Sequence, residues 1–151
     1  MKELANLLKE KNISISSVES FTVGGFANEI GSIPGISQVY KGSLVSYQTC
    51  IKRDVLNIDQ FLIDQKGVVS YEVAYLMAKN GREMFDSDLC ISFTGNAGPT
   101  AMEGKPVGLV YIGINYKNEI YVYELLLEGS RQQIKEQAIK QGTLKILELL
   151  K

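Results

Sequence analysis

Apolar residues recur along this chain at two different periods. Leu4, Leu7 and Leu8 fall at helical spacing in a charged segment, predicting an amphipathic helix over Lys2–Lys11 that ends at Asn12. Residues 13–18 (Ile-Ser-Ile-Ser-Ser-Val) alternate in the manner of a strand. Glu19 to Gly25 breaks that alternation, and Phe26 to Ile30 reads as helix. A turn at Gly31–Gly35 leads to a second expected strand, Gln38–Tyr47, with a short helical turn at Lys52–Leu56. Ser70 with Glu72 resembles the start of a capping box, and Ala74, Met77 and Ala78 follow on one helical face. Leu89–Phe93 is a strand of the buried type that runs into Thr94-Gly95-Asn96-Ala97-Gly98-Pro99. Val107–Tyr116 and Glu119–Leu127, rich in Tyr, Val and Ile, predict a hairpin across Lys117-Asn118. Ser130 caps a last helix, Arg131–Leu150, with Ile134, Ala138, Leu144 and Leu147 among its apolar positions. Helices and strands alternate and one hairpin closes the series. The expected fold is therefore α/β: a mixed, mostly parallel sheet covered by helices on both faces, in three layers.

Length and composition narrow the picture. A chain of 151 residues fits one domain and buries enough surface to need neither disulfide nor metal for stability. Its net charge is -1, with basic and acidic residues interspersed, so there is no stripe of the kind that neutralises nucleic-acid phosphates. Cys50 and Cys90 are far apart beside apolar residues and read as small hydrophobes. No leader pattern and no membrane-length apolar run is evident, and the expected location is the cytoplasm. The chain has no histidine. That removes Ser-His and Cys-His catalysis and imidazole zinc sites, leaving a shifted carboxylate, a desolvated lysine or a tyrosine as candidate base.

Four segments carry candidate chemistry. Ser20, at a strand end within Glu19-Ser20-Phe21-Thr22-Val23-Gly24, is placed either to act as a nucleophile beside free helix N–H groups or to cap the helix. Tyr47 ends the second strand, and Lys52 follows five residues later. A desolvated lysine there can deprotonate a serine, whereas a core tyrosine and a solvated lysine are the plainer reading. Thr94-Gly95-x-Ala97-Gly98 offers close backbone approach and an anion-binding nest, or an ordinary turn. Arg131, at a helix start after Gly129-Ser130, suits a phosphate bidentately or is a surface charge.

Taken in order, these segments resemble the CinA C-terminal domain family, whose enzymatic members are nicotinamide-nucleotide amidases of the PncC type. The family pattern Glu-Ser-Cys-Thr-Gly-Gly is answered by Glu19–Gly24, and Pro-Gly-Ser-Ser by Pro34-Gly35-Ile36-Ser37. Gly-Gly-x-Val-x-Tyr-x-Asn-x-x-Lys is answered by Gly42–Lys52, and Gly-Val-Ser by Gly67-Val68-Val69-Ser70. Thr-Gly-x-Ala-Gly-Pro, Lys-Pro-Val-Gly and Gly-Asp-Arg are answered by Thr94–Pro99, Lys105–Gly108 and Gly129–Arg131. The resemblance covers nearly the whole chain and implies a single domain over 1–151. It implies Ser20 as nucleophile, Lys52 as its base, and Tyr47 and Ser37 in the same catalytic site. Glu19, Thr22, Gly24, Thr94, Gly95, Ala97, Gly98 and Arg131 are the implied substrate-binding positions. The implied reaction is hydrolysis of nicotinamide mononucleotide to nicotinic acid mononucleotide and ammonia, without metal or cofactor, in a homo-oligomer; charge and apolar-run length give the expectation of no nucleic-acid and no membrane partner.

Departures from the pattern leave an alternative open, a catalytically impaired module that binds a nucleotide or a protein partner. Phe21 stands for Cys and Val23 for the first turn glycine, while Ile36, Ser43 and Thr49 stand for Ser, Gly and Asn. If position 23 needs positive φ, a β-branched residue there is strained unless Gly25 lets the turn slide by one residue.

Overall fold

A computed structural model describes residues 1–151. Helix α1 spans Lys2–Lys11, and Asn12 ends it in the left-handed conformation, its N–H turned back to the Leu8 and Lys9 carbonyls. Strand β1 (Ile15–Glu19) is followed by helix α2 (Gly25–Gly31), a 3₁₀ turn at Ile36–Gln38 and strand β2 (Tyr40–Val45). Helices α3 (Thr49–Asp54), α4 (Gln60–Lys66) and α5 (Tyr71–Phe85) precede strand β3 (Leu89–Gly95). The hairpin β4 (Leu109–Tyr116) and β5 (Glu119–Leu126) leads to the closing helix α6 (Arg131–Leu150).

The sheet order is β2-β1-β3-β4-β5. β1 pairs in parallel with both β2 and β3, and the two pairings involving β4 are antiparallel. Four of the five strands thus point one way and β4 alone is reversed, the mixed and mostly parallel sheet expected. One face packs Ile15, Ile91, Phe93, Ile112 and Ile114 against α1, α2 and α6. The other packs Val18 and Cys90 against Val73 and Met77 of α5 and Ile63 of α4. Two apolar clusters separated by one sheet make three layers.

β1 is buried along its whole length although its sequence is Ile-Ser-Ser-Val-Glu. Its polar side chains are satisfied sideways: Ser16 Oγ pairs with Ser87 Oγ at 2.7 Å, and Ser17 pairs with Ser43. Buried polar groups persist in native cores when partnered in this way. The close fit of α5 on the sheet needs glycine at two positions. A Cβ on Gly81 would overlap Val18, and one on Gly113 would lie 2.5 Å from the Ala74 carbonyl oxygen.

Several boundaries differ from the sequence expectation. The second strand is shorter than Gln38–Tyr47, because Gln38 belongs to the 3₁₀ turn and the chain bends away after Val45. α3 begins at Thr49, so Lys52 lies within a helix instead of starting one. Helix α4 is additional, capped by Asp59, whose carboxylate accepts from Phe61 N at 2.8 Å. Ser70 does cap α5, accepting from Val73 N, but Glu72 does not complete a reciprocal box; the reciprocal box is found at α6, between Ser130 and Gln133. No helix is long and apolar enough to cross a membrane.

Candidate active site

Ser20 is the first residue beyond β1, and its N–H donates to the Phe93 carbonyl at 3.0 Å. The serine is therefore held where two central parallel strands end. The chain leaving the neighbouring β2 is tied to the same point, since Ser46 N donates to the Glu19 carbonyl at 2.8 Å. From there α3 sends Lys52 inward. The lysine is 1% exposed, its Nζ lies 2.9 Å from Ser20 Oγ, and it also donates to the Ser46 carbonyl. Burial disfavours the ammonium and pushes Lys52 down to about 8, against a smaller opposing pull from the Glu103 charge.

The turn between Ser20 and α2 answers the question raised by Val23. Val23 has φ 49° and Gly24 φ 80°, both left-handed. The turn has not slid onto Gly25, which opens α2; there a Cβ would lie 2.7 Å from Ile139 Cδ1. Val23 takes the left-handed conformation despite its branched Cβ, and at 49% exposure it has little packing to oppose the strain.

The first turn of α2 is not an anion site. The buried Glu19 carboxylate accepts from Phe26 N at 3.1 Å and Ala27 N at 2.9 Å, so a side chain from β1 caps this helix. What remains free lies in the turn itself: the N–H groups of Phe21, Thr22 and Gly24 make no hydrogen bond within the chain. The first directly follows the serine, the place where an oxyanion would find a backbone donor, whereas Thr22 is fully buried.

A cleft of about 180 Å³ opens beside Ser20. Phe21, Val68 and Met102 give it apolar walls, and Thr94 to Ala97, at the end of β3, give it a polar floor. Thr94 Oγ1 donates to the Val68 carbonyl at 2.6 Å, tying floor to wall. Arg131, the first residue of α6, closes the mouth: one guanidinium nitrogen donates to the Gly98 carbonyl at 2.7 Å and another reaches Tyr47 Oη at 3.3 Å. Three sequence-distant segments thus converge, and the arrangement can hold a flat apolar group beside the serine with an anion at the arginine. No group of three or more His, Cys, Asp or Glu side chains converges as a metal site.

Of the residues expected at the site, Ser20, Lys52, Tyr47, Thr94, Gly95, Ala97 and Arg131 come together here. Gly98 contributes through the carbonyl that holds Arg131. Glu19, Thr22 and Gly24 do not line the cleft. Glu19 and Thr22 are fully buried behind it, Glu19 as the cap of α2, while Gly24 supplies the left-handed turn. Ser37 is not at the site either. It is exposed in the 3₁₀ turn before β2, at the opposite end of the parallel strands from Ser20. Sequence reasoning missed Phe21, Val68, Asn96 and Met102 as lining residues. The first three sit inside motifs already singled out, whereas nothing local marks Met102.

The comparisons with known proteins agree with this architecture. The profile of the CinA C-terminal domain matches residues 1–150. A competence-damage inducible protein of Geobacillus is 44% identical over 99% of the chain, which covers 36% of that protein; one of Listeria welshimeri is 41% identical over 90%, covering 33%. The chain therefore spans about a third of the length of the curated relatives it matches. A solved competence or damage-inducible protein from Enterobacter asburiae superposes with a TM-score of 0.97 at 24% identity, covering 99% of this chain and 95% of that one. A CinA superfamily protein from Escherichia coli gives 0.95 at 25% identity, over 98% and 87%. The chain belongs to the CinA C-terminal domain family.

Proposed function

We propose that this protein is a serine-lysine amidohydrolase acting on the carboxamide of nicotinamide mononucleotide. The observation that carries the proposal is the 2.9 Å contact between Ser20 Oγ and a buried Lys52 Nζ at the edge of a cleft closed by an arginine. With Lys52 near 8, about one-tenth of it is neutral at pH 7, enough to supply a base where histidine is lacking.

In the first step Lys52 Nζ takes the proton of Ser20 Oγ as the oxygen bonds to the carboxamide carbon. The resulting oxyanion lies toward the free N–H of Phe21, the residue after the serine and part of the cleft wall. Lys52, now an ammonium held by the Ser46 carbonyl, returns the proton to the departing nitrogen; the C–N bond breaks and ammonia leaves an ester on Ser20. Water then attacks that ester with Lys52 again taking the proton. The serine hydroxyl is restored and nicotinic acid mononucleotide is released. Phe21, Val68 and Met102 accept the pyridine ring, and Arg131 with Tyr47 faces the phosphate.

The test is ammonia release from nicotinamide mononucleotide by purified protein, with Ser20→Ala and Lys52→Met as blanks. Turnover in wild type alone supports the reading. Wild-type turnover no higher than in the blanks, with the nucleotide still bound, assigns the domain to nucleotide binding without catalysis.

A further inference from the structure

A hairpin turn of this chain reaches from the β3–β4 connection to the start of α5. Met102 and Lys105 form an isolated antiparallel bridge, and Glu103 and Gly104 between them have φ 56° and 68°, a tight turn with both central residues left-handed. The turn is fastened by its two charged side chains. Glu103 accepts from two consecutive backbone amides, Val68 N at 2.8 Å and Val69 N at 3.2 Å. Lys105 Nζ donates to the Lys66 carbonyl at 2.7 Å, to the Val69 carbonyl and to Glu103 itself at 3.4 Å. Gly67 is part of the fit, since a Cβ there would run into the Glu103 carboxylate. Both segments held in this way bear on the cleft, because Val68 and Met102 are two of its three apolar walls.

We propose that Glu103 is a positioning residue of the active site: with Lys105 it clasps the 102–105 turn onto the 66–69 turn and so fixes the Met102 and Val68 walls beside Ser20. The proposal rests on the catalytic reading above. It adds a residue that touches neither substrate nor reacting atoms.

The clasp has an electrostatic consequence as well. The ionisable groups carried by the elements that meet near Lys52 are Cys50, Arg53 and Asp54 on its own helix, Glu19 on β1, Tyr47 and Arg131 at the mouth, and Glu103 with Lys105 on the clasp. Arg53 and Asp54 neutralise each other at the surface, and the Glu19 carboxylate is turned to the α2 amides. Glu103 is the one charge that pulls on Lys52, favouring its ammonium and so partly offsetting the effect of burial. The residue that sets the walls therefore also restrains how far the base is neutralised.

The experiment compares wild type with Glu103→Gln and Lys105→Met in two assays. The first is the pH dependence of Ser20 labelling by a fluorophosphonate, which reads the serine and its base without any amide substrate. The second is kcat and KM for nicotinamide mononucleotide. Glu103→Gln removes the charge, so its labelling profile moves to lower pH. Lys105→Met loosens the clasp but keeps the Glu103 charge, so its profile does not move down. Both variants raise KM about tenfold or more, because walls that shift by a fraction of an ångström lose their contact with the bound ring. A Glu103→Gln labelling profile superimposable on wild type, or a KM unchanged in both variants, overturns the proposal. If the nucleotide is not turned over by any form, the substrate assignment fails; the role of Glu103 then stands only if the labelling profile moves as stated and both variants also label more slowly than wild type on the high-pH plateau, and equal plateau rates overturn it.

Discussion

Lys52 combines two properties that oppose each other. An ammonium at 1% exposure is disfavoured, and the same burial that would suit Lys52 to act as a base costs stability. The unfolded lysine holds its proton up to about 10.5 and the folded one only up to about 8. Between those values the unfolded state binds more protons, so stability rises with pH through that window, and below about 8 the full cost is present. The interval corresponds to about 3 kcal/mol. Two outcomes follow. Under the proposed mechanism turnover is expected to climb with pH and level off above about 8, a limb measured by initial rates across roughly pH 6–9.5. Lys52→Met is expected to be inactive yet more stable than wild type at pH 7, by no more than about 3 kcal/mol, an advantage that narrows above about pH 8 when followed by denaturant unfolding. Val23 offers a second trade at this scale. Left-handed backbone costs an L-residue roughly 1–2 kcal/mol, and glycine there loosens the unfolded chain by about 0.4–1 kcal/mol. Because Val23 already holds φ 49°, the turn and its donors stay in place. Val23→Gly is therefore expected to gain up to about 1 kcal/mol of stability while kcat changes by less than about threefold; a variant less stable than wild type in urea would contradict the strain.

Elements hold the candidate site residues through contacts that a local reading of sequence does not expose. α5 lies against the sheet at Gly81 and Gly113, and at Gly113 an added methyl meets a backbone carbonyl that has no rotamer with which to yield. Gly113→Ala is accordingly expected to cost about 1–3 kcal/mol, seen as a fall in the denaturation midpoint, although Gly113 is far from Ser20 in sequence. Much of the element order was legible beforehand: the 3.6-residue period of Lys2–Lys11, the Ser130 cap and the Lys117-Asn118 turn are strong local signals, and each lies where expected. α4 was not, because a seven-residue helix with Phe61 70% exposed carries no sustained apolar period and announces itself only through its Asp59 cap. At the site the motifs led to Ser20, Lys52 and Arg131 but overreached at Glu19 and Ser37. A motif residue shows only that its position is constrained. Whether Glu19 faces a ligand or caps α2 depends on which side of β1 it emerges, and Ser37 is separated from Ser20 by the length of a strand, which linear order cannot reveal. Met102 enters the cleft by a tertiary clasp and left no trace in its neighbours.

At the scale of the whole molecule the cleft is a meeting of two halves. The proposed base and nucleophile come from the β1–β2 side, and the floor and arginine come from the hairpin side, where Gly98 of the β3–β4 connection receives the first residue of α6. This division predicts separable chemistry. Arg131 makes its contacts at the mouth, with the Gly98 carbonyl and Tyr47 hydroxyl, and none with Ser20 or Lys52. If it holds the phosphate in ground state and transition state alike, its loss raises KM and leaves kcat nearly unchanged. Charge-assisted contacts of this kind contribute about 1.5–3 kcal/mol, so Arg131→Ala is expected to raise KM for nicotinamide mononucleotide about 10- to 100-fold. Lysine keeps the charge but not the planar fork, and Arg131→Lys falls between the two. The deciding comparison uses nicotinamide riboside, the same substrate without its phosphate. Wild type should process it with a KM as high as that of Arg131→Ala acting on the nucleotide, and Arg131→Ala should treat riboside and nucleotide nearly alike. The energy lost by removing the arginine and the energy lost by removing the phosphate are then one quantity, counted once when both are absent. Should the riboside be affected by Arg131→Ala as strongly as the nucleotide, the arginine acts by shaping the cleft through Gly98 and Tyr47, and the phosphate is bound elsewhere.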